Sequence, residues 1–263
     1  MTIFRLSSIA LSLLFFASLS YAEEVNLPDS AEITRNKDAK IIGVRIVGDS
    51  NLQPRIVSPE TIRELSKLAH FESLSFWGTT VDDDDLVQLK PLENLRSIDL
   101  SFSQVTGKSI EVLSTHKKLA LVNLTSCHVT DDHLAALSKM PQIAMLHLGR
   151  TNVTDNGLKH LDHLEQIVLL DLENCEISDT GLKSIGDLPV IQSLWLSKTV
   201  RHGNGDRSAL TDNCVEYLAT LNSLLDLRIA DSQITDAKLK ELRTSLPNTK
   251  VSTERTGITY TNR

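Results

Sequence analysis

The chain has 263 residues, of which 41% are hydrophobic and only 4% aromatic, so any core must consist mainly of aliphatic side chains. Its 27 basic and 34 acidic residues give a formal net charge of -7, and an acidic surface repels phosphate backbones. The few aromatic residues also leave few platforms on which bases could stack, so we expect no nucleic acid partner.

The N-terminal residues have the composition of a secretory targeting segment. Arg5 supplies a positive charge, Leu6 to Leu19 is an apolar run, and Ser20-Tyr21-Ala22 places small residues at a cleavage site. The alternative is a membrane anchor, but a spanning helix needs about 20 apolar residues. We therefore expect a signal peptide over residues 1–22, a periplasmic or secreted protein, and no stable membrane insertion.

An aliphatic residue followed by a helix-capping residue recurs along the chain. The pairs begin at Val57, Val81, Val105, Val129, Val153, Ile177, Leu210 and Ile234. Successive spacings are 24 residues, except for one of 33 before Leu210 that indicates an insertion of nine residues. A fixed period of about 20 to 50 residues is typical of repeat proteins, in which each repeat completes its core only against its neighbours.

One repeat, residues 169–192, divides into two parts with different periodicities. The first part alternates inward and outward residues, as in a strand with one buried face, and its inward residues are Leu170 and Leu172. The second part has apolar residues three apart, as in a short helix, and these are Leu182, Ile185 and Leu188. Ser178 is a good N-cap for that helix, and Asp179 places a negative charge against its dipole.

The motif Met145-Leu146-His147-Leu148, followed by TNVTDNGLKHLDHL from Thr151, carries a family resemblance. The chain from about Val44 to Val251 resembles the leucine-rich-repeat family. It looks like the 24-residue kind common in exported bacterial proteins, and is similar to the cysteine-containing kind of eukaryotic ubiquitin-ligase adaptors. The resemblance implies an α/β solenoid, a curved right-handed arc with parallel strands on the concave face and short helices on the convex face.

The repeats define the expected domain organisation. We expect an N-terminal linker over residues 23–40, a single leucine-rich-repeat domain of about eight repeats over residues 41–251, and a C-terminal tail over residues 252–263.

The three cysteines suit structural positions of the repeat. Cys127 and Cys175 occupy the position that the family usually gives to Asn or Cys, so the resemblance implies buried thiols. Cys214 occupies the place that Gly157 and Gly181 hold in the first helical turn. Its alternative role, a nucleophile, would need a histidine that the repeat does not fix beside it.

The predicted strands carry outward columns of residues, and the first column is apolar in three adjacent repeats. Those residues are Leu121, Met145 and Leu169, and Trp195 lies one strand further on. The polar residues that surround them are His147, Asp171, Glu173 and Arg228. An exposed apolar cluster with a polar rim is typical of a protein-binding hot spot. The alternative is a set of scattered surface residues, or residues covered by flanking segments.

The nine-residue insertion lies near residues 200–208, between a strand and the next helix cap. It contains Arg201 and Arg207, so it is locally basic on an acidic protein. Long loops on a rigid scaffold often carry function, and a tolerated insertion without any role is the alternative.

Other polar groups are better explained by the repeat than by chemistry. Asp82 to Asp85 could suggest calcium, but the repeat makes Asp82 a helix cap and its neighbours first-turn acids. His160 and His163 are three apart and lack a further fixed metal ligand. We find no nucleophile elbow, phosphate-binding glycine loop or metalloprotease signature, so we expect no enzyme, cofactor or metal site.

We therefore predict a monomeric, non-catalytic scaffold outside the cytoplasm that binds a protein partner through its concave face. The predicted binding residues are Leu121, Met145, His147, Leu169, Asp171, Glu173, Trp195, Arg201, Arg207 and Arg228. The alternative is a small-ligand or glycan sensor that uses the concave face and the inserted loop near residues 200–208.

Overall fold

The structure is a computed structural model that describes residues 27–28, 31–48, 54–68, 70–197 and 210–254. Backbone contacts divide the chain into two compact parts: an N-terminal half, residues 1–122, and a C-terminal half, residues 123–263. The expected signal peptide and the inserted loop lie outside the described residues. The single repeat domain over residues 41–251 stays a prediction.

In the N-terminal half, an antiparallel pair of strands is followed by parallel strands that alternate with short helices. The strands are β1 (Glu32–Arg35), β2 (Ile41–Arg45), β3 (Ser73–Ser75) and β4 (Ser97–Asp99), and β5 (Leu121–Asn123) spans the boundary between the halves. The helices are α1 (Pro59–Ser66), α2 (Asp83–Gln88) and α3 (Lys108–Leu113). Strands β2, β3 and β4 pair in chain order, and their register places the buried residues Val44, Leu74 and Ile98 side by side.

The first strand changes the expected N-terminal boundary. Strand β1 pairs antiparallel with β2, and the two are joined by a turn in which Asn36 Oδ1 accepts hydrogen bonds from the N–H groups of Asp38 and Lys40. The expectation that residues 23–40 are all linker is therefore wrong for Glu32–Arg35. A run of four residues is too short for its periodicity to distinguish a strand from a loop.

The C-terminal half continues the alternation of strand and helix. Its strands are β6 (Met145–His147), β7 (Leu169–Asp171), β8 (Ser193–Trp195), β9 (Asp226–Arg228) and β10 (Lys250–Ser252). Its helices are α4 (Asp131–Leu134), α5 (Asp155–Leu158), α6 (Asp179–Lys183), α7 (Cys214–Leu218) and α8 (Asp236–Ser245), with a 3-10 turn over Ala135–Lys139. Strands β6 to β10 are parallel and pair in chain order.

The core of the C-terminal half is a stack of aliphatic residues, one layer per repeat. The central strand residues Leu146, Leu170, Leu194 and Leu227 are aligned by the strand register, and all four are buried. Leu182, Ile185 and Leu188, predicted to form a helical stripe, are also buried, but helix α6 ends at Lys183, so only Leu182 lies in it. Because these layers face inward, the residues that alternate with them on the strands must face outward.

Aspartates at or just before the start of a helix connect one repeat to the next. In five pairs the carboxylate accepts one hydrogen bond from the backbone N–H of the following cap residue, at 2.7–2.9 Å, and one from its hydroxyl, at 2.5–3.0 Å. The pairs are Asp83 with Thr106, Asp131 with Thr154, Asp155 with Ser178, Asp179 with Thr211, and Asp212 with Thr235. We expected these acids only to favour the helix dipole, and the structure adds this second role. We call them the inter-repeat aspartates.

Two glycines in the first helical turn leave room for two of the inter-repeat aspartates. A Cβ atom at Gly157 would collide with Asp131, and one at Gly181 would collide with Asp155. Cys214 occupies the equivalent position and is buried. Burial, followed by the charges of Asp179 and Asp212, raises the pKa of the Cys214 thiol to about 12. A thiol held protonated in this way favours a structural role over a nucleophilic one.

The two cysteines at the family position are also free and buried, as the resemblance implied. The Cys175 thiol donates a hydrogen bond to the carbonyl oxygen of Leu148 at 3.1 Å. Burial raises its pKa to about 11. Cys127 lies 3.8 Å from the carbonyl oxygen of Thr125. Both thiols therefore fill the core rather than react.

Candidate functional site

Outward residues of strands β6 to β9 form continuous rows across the C-terminal half. The register pairs Met145 with Leu169 and places Ser193 and Asp226 on the next two strands. A second row contains His147, Asp171, Trp195 and Arg228 in that order. The structure thus brings together most of the residues predicted to bind a partner.

Trp195 lies at the centre of the second row and is held by three neighbours. The guanidinium carbon of Arg228 lies 3.8 Å from the centroid of its indole ring, a cation–π geometry. Its Nε1–H donates to Asp226 Oδ2 at 3.2 Å, and the His147 ring meets it edge-on with 5.5 Å between centroids. A side chain that is already fixed loses little conformational entropy when a partner binds, so this indole is suited to be an anchor.

Asp226 is the functional residue that sequence reasoning missed. Besides binding the indole of Trp195, Asp226 Oδ2 accepts a hydrogen bond from Nε of Arg228 at 3.2 Å. It therefore fixes both members of the cation–π pair. The available signal was its place in the first outward column, beside Trp195 and Arg228, where the other repeats carry Ser or an apolar residue.

Asp171 is buried rather than at a polar rim, so that expectation was wrong. Its Oδ1 accepts a hydrogen bond from the N–H of Glu173 at 2.9 Å, and its Oδ2 lies 3.3 Å from Nδ1 of His147. Gly149 on the preceding repeat leaves space for this carboxylate, because a Cβ there would lie 3.1 Å from Asp171 Oδ1. An aspartate that bends back to its own backbone forms an Asx turn, which strand periodicity does not reveal.

Glu173 is half-buried and lies beside Asp171 at the end of strand β7. Burial raises the pKa of its carboxyl group, and the neighbouring Asp171 charge raises it further. The guanidinium of Arg228, a hydrogen bond with Ser197 and the charge of Arg150 act in the opposite direction and are weaker than the two raising effects. These favourable contacts therefore offset only part of the cost of burying the ionised carboxylate of Glu173.

The apolar part of the predicted site is smaller than the sequence indicated. Met145 is exposed at 37%, whereas Leu169 beside it is half-buried. Leu121 belongs to the N-terminal half and is also half-buried there. Arg201 and Arg207 lie outside the described residues. We use the name Trp195 cluster for Met145, His147, Leu169, Asp171, Glu173, Trp195, Asp226 and Arg228.

A second aromatic pair lies in the N-terminal half. The rings of Trp77 and Phe102 are 5.7 Å apart between centroids and tilted by 57°. Phe102 has a φ of 58°, which is a left-handed turn conformation. Gly78 and Asn174, the equivalent residues of two other repeats, adopt the same conformation. A bulky residue in this conformation is unusual, because its Cβ approaches the backbone. Sequence periodicity gave no sign of this turn.

The acidic run and the histidines do not form a metal site in the described part of the chain. Asp82 caps helix α2, accepting hydrogen bonds from the N–H groups of Asp84 and Asp85, while Asp85 accepts one from Asp82. His163 Nδ1 lies 3.3 Å from Asp162. Among the described residues, no three or more His, Cys, Asp or Glu side chains converge as metal ligands would. Nor does any helix there have the length and apolar character needed to cross a bilayer.

Comparison with known proteins shows the same architecture. The model of the leucine-rich-repeat family matches residues 167–186, which is the repeat around β7. An internalin (InlF) of Listeria monocytogenes is similar in structure, with a TM-score of 0.51, 20% identity and coverage of 76% of this chain and 57% of that one. Internalin C2 of the same organism has a TM-score of 0.51, 21% identity and 73% coverage of both chains. No curated protein sequence matches the chain.

A plant receptor is similar over a larger share of the chain. The leucine-rich-repeat ectodomain of the Arabidopsis receptor kinase HAESA, solved with an extended IDA peptide hormone, has a TM-score of 0.58 and 16% identity. The likeness covers 84% of this chain and 35% of HAESA. The chain therefore spans just over half the length of the internalin InlF and about a third of HAESA.

These findings define the class of protein. Parallel strands, each followed by a short helix at a 24-residue period, are the leucine-rich-repeat solenoid fold. The chain has this fold, and the model of the leucine-rich-repeat family matches one of its repeats.

Proposed function

We propose that the protein is an exported, non-catalytic scaffold that binds a protein partner on the strand-lined face of its C-terminal half, centred on Trp195. The resemblance predicts this face to be concave. The observation that carries the proposal is the fixed position of the Trp195 indole, which Arg228, Asp226 and His147 hold on an outward row. Tryptophan and arginine are the residues most enriched where binding energy concentrates in interfaces.

The apolar part of the Trp195 cluster supports the same conclusion. A strand position that faces outward needs no apolar residue for folding, yet Met145 is exposed and Leu169 is only half-buried beside it. Burying such a side chain in an interface removes apolar area from water at about 25 cal/mol per Å². HAESA, a structural neighbour, was solved with a bound peptide hormone, which makes a polypeptide partner reasonable here.

Export and monomeric state belong to the same proposal. Residues 1–22 have the charge and apolar pattern of a signal peptide, so the mature protein should begin at Glu23. Sequencing the N-terminus of the protein isolated from its native source tests the cleavage site. The sedimentation coefficient of the mature protein tests whether it is a monomer.

Affinity capture from the native envelope or secreted fraction tests the binding face. The baits are the mature chain, its Trp195→Ala variant, and a control that carries Lys159→Ala and Lys183→Ala on the helix-lined face. We expect the control to capture the same partner as the unmodified chain and the Trp195→Ala variant to lose it. Loss in the control with retention in Trp195→Ala would place the working surface on the helices instead.

A further inference from the structure

Three carboxylates belong to the Trp195 cluster, and two of them hold other members of the cluster in place. Asp226 binds the indole N–H and the Arg228 guanidinium. Asp171 binds the backbone N–H of Glu173 and lies next to His147. Glu173 differs, because the hydrogen-bond partner of its carboxylate is Ser197, which lies outside the cluster.

Glu173 also departs from what its position in the repeat requires. The equivalent positions hold Trp77, Ser101, Thr125, Gly149, Ser197 and Ala230, which are all uncharged and, apart from Trp77, small. A half-buried carboxylate next to the Asp171 charge makes the folded protein less stable than a neutral side chain would. The repeat does not need this acid, so its role is sought in binding by the same face.

The two nearby cations, Arg228 and Arg150, only partly offset the effects that raise the pKa of Glu173. Arg228 is held between the Trp195 ring and Asp226, at 3.8 and 3.2 Å, so it cannot turn to Glu173 without breaking both contacts. Counting Asp171, Glu173 and Asp226 against Arg150 and Arg228, the formal charge around Trp195 is 2 - 3 = -1, and the whole chain carries -7. A partner complementary to this surface brings a positive charge.

We propose that the partner is a polypeptide segment that presents a lysine or arginine to Glu173 and an apolar side chain to Met145 and Leu169. This inference rests on the proposed function, because it names the kind of partner that the same face takes. Leu169 and Glu173 are four residues apart, which is about 13 Å along an extended chain. An extended partner segment would thus carry its apolar and basic residues about four positions apart.

Synthetic peptide libraries presented to the full chain test this inference. Each decapeptide has a fixed leucine, a second fixed position four residues later that is lysine, glutamine or glutamate, and random residues elsewhere. The immobilised proteins are the unmodified chain, Glu173→Gln, Trp195→Ala, and Glu165→Gln as a control that removes an exposed acid outside the cluster. Retained peptides are counted by mass spectrometry, and the melting temperature of each variant is recorded.

We expect the unmodified chain to retain the lysine library about tenfold more than the glutamine library, and the glutamate library least. Glu173→Gln should bring the lysine and glutamine libraries to within about twofold of each other, while Glu165→Gln keeps the preference. Trp195→Ala should retain little of any library.

Two other outcomes separate this inference from the proposed function. In the first, the unmodified chain retains the lysine and glutamine libraries equally, and Trp195→Ala retains neither. This result would overturn the proposal of a basic partner but would still support the docking face. Retention that is the same in the unmodified chain and in Trp195→Ala would overturn both, because the peptides would then bind elsewhere.

Discussion

Asp131 accepts two hydrogen bonds from Thr154, one from its backbone N–H at 2.7 Å and one from its hydroxyl at 2.6 Å. The donor residue is also the N-cap of helix α5, where its Oγ1 accepts from the N–H of Asn156. One threonine thus starts its own helix and binds the preceding repeat. Repeat proteins derive their stability from such contacts between neighbours, so the inter-repeat aspartates should matter more than surface acids usually do.

Replacing one inter-repeat aspartate should destabilise the protein more than replacing its neighbour. Asp131→Ala leaves two donors of Thr154 without their acceptor, and we expect a loss of about 1–3 kcal/mol in the free energy of unfolding. Asp132→Ala removes an exposed first-turn acid and should cost only about 0.3–1 kcal/mol through the helix dipole. Urea unfolding of both variants measures the difference. Equal losses would show that the hydrogen bonds to Thr154 contribute nothing beyond the dipole.

The glycine beside that aspartate should not tolerate a methyl group. Gly157→Ala places a Cβ against Asp131 and 2.9 Å from Cδ1 of Leu134, so we expect a destabilisation of about 1–3 kcal/mol. Gly186→Ala is the control, because its nearest neighbour, Thr220 Oγ1, would be 3.4 Å from the new Cβ. Thermal unfolding that shifts by the same amount for both variants would contradict the tight approach at Gly157.

The three thiols should be inaccessible in the native protein. Cys127, Cys175 and Cys214 are buried, and burial raises the pKa of Cys175 to about 11 and that of Cys214 to about 12. Since the thiolate is the reactive form, we expect labelling at pH 8 to be slow without denaturant and complete in its presence. Counting modified cysteines by mass spectrometry checks this. Rapid labelling of Cys127 and Cys175 in the folded protein would rule out the core positions assigned to them.

Glu173→Gln should stabilise the fold at neutral pH. Burial and the Asp171 charge raise the pKa of Glu173 above its ordinary value of 4.5, so the native state favours the protonated carboxyl. Glu173 therefore stabilises the fold at pH values below its ordinary pKa, and this stabilisation is lost as the pH rises through the raised pKa of the folded state. We therefore expect the variant to be more stable than the unmodified chain at pH 7, with the difference shrinking toward pH 4.

Denaturant unfolding at several pH values measures this difference. Glu165→Gln, at an exposed site, gives the effect of removing one surface charge, which is subtracted. A Glu173→Gln variant that is less stable at pH 7 would mean that the hydrogen bond with Ser197 and the nearby guanidinium groups outweigh burial.

Periodicity predicts the layers of this fold but not the conformations of its polar side chains. The spacing of Leu182, Ile185 and Leu188 was enough to identify three buried residues, although only Leu182 lies in helix α6. The burial of Asp171 depends on an Asx turn and on the absence of a side chain at Gly149, which lies on another repeat. A sequence pattern taken one repeat at a time does not contain such a relationship.

The same limit applies to the Trp195 cluster. Outward alternation correctly placed Trp195 and Arg228 in one row, whereas their stacking depends on Asp226, which turns the guanidinium and the indole toward each other. The hydrogen bonds that Thr154 donates to Asp131 were missed for a related reason. First-turn acids are already explained by helix capping, so nothing in the pattern required a second role for them.

Fluorescence of a single tryptophan tests the central claim most directly. The chain has two tryptophans, so Trp77→Phe leaves Trp195 as the only one, and Trp195→Phe leaves Trp77. The captured partner is titrated into each variant while quenching of the indole by acrylamide is recorded. If the partner docks on the strand-lined face of the C-terminal half, quenching of Trp195 falls several-fold at saturation. Saturating binding of the partner with unchanged quenching of Trp195 would contradict the account.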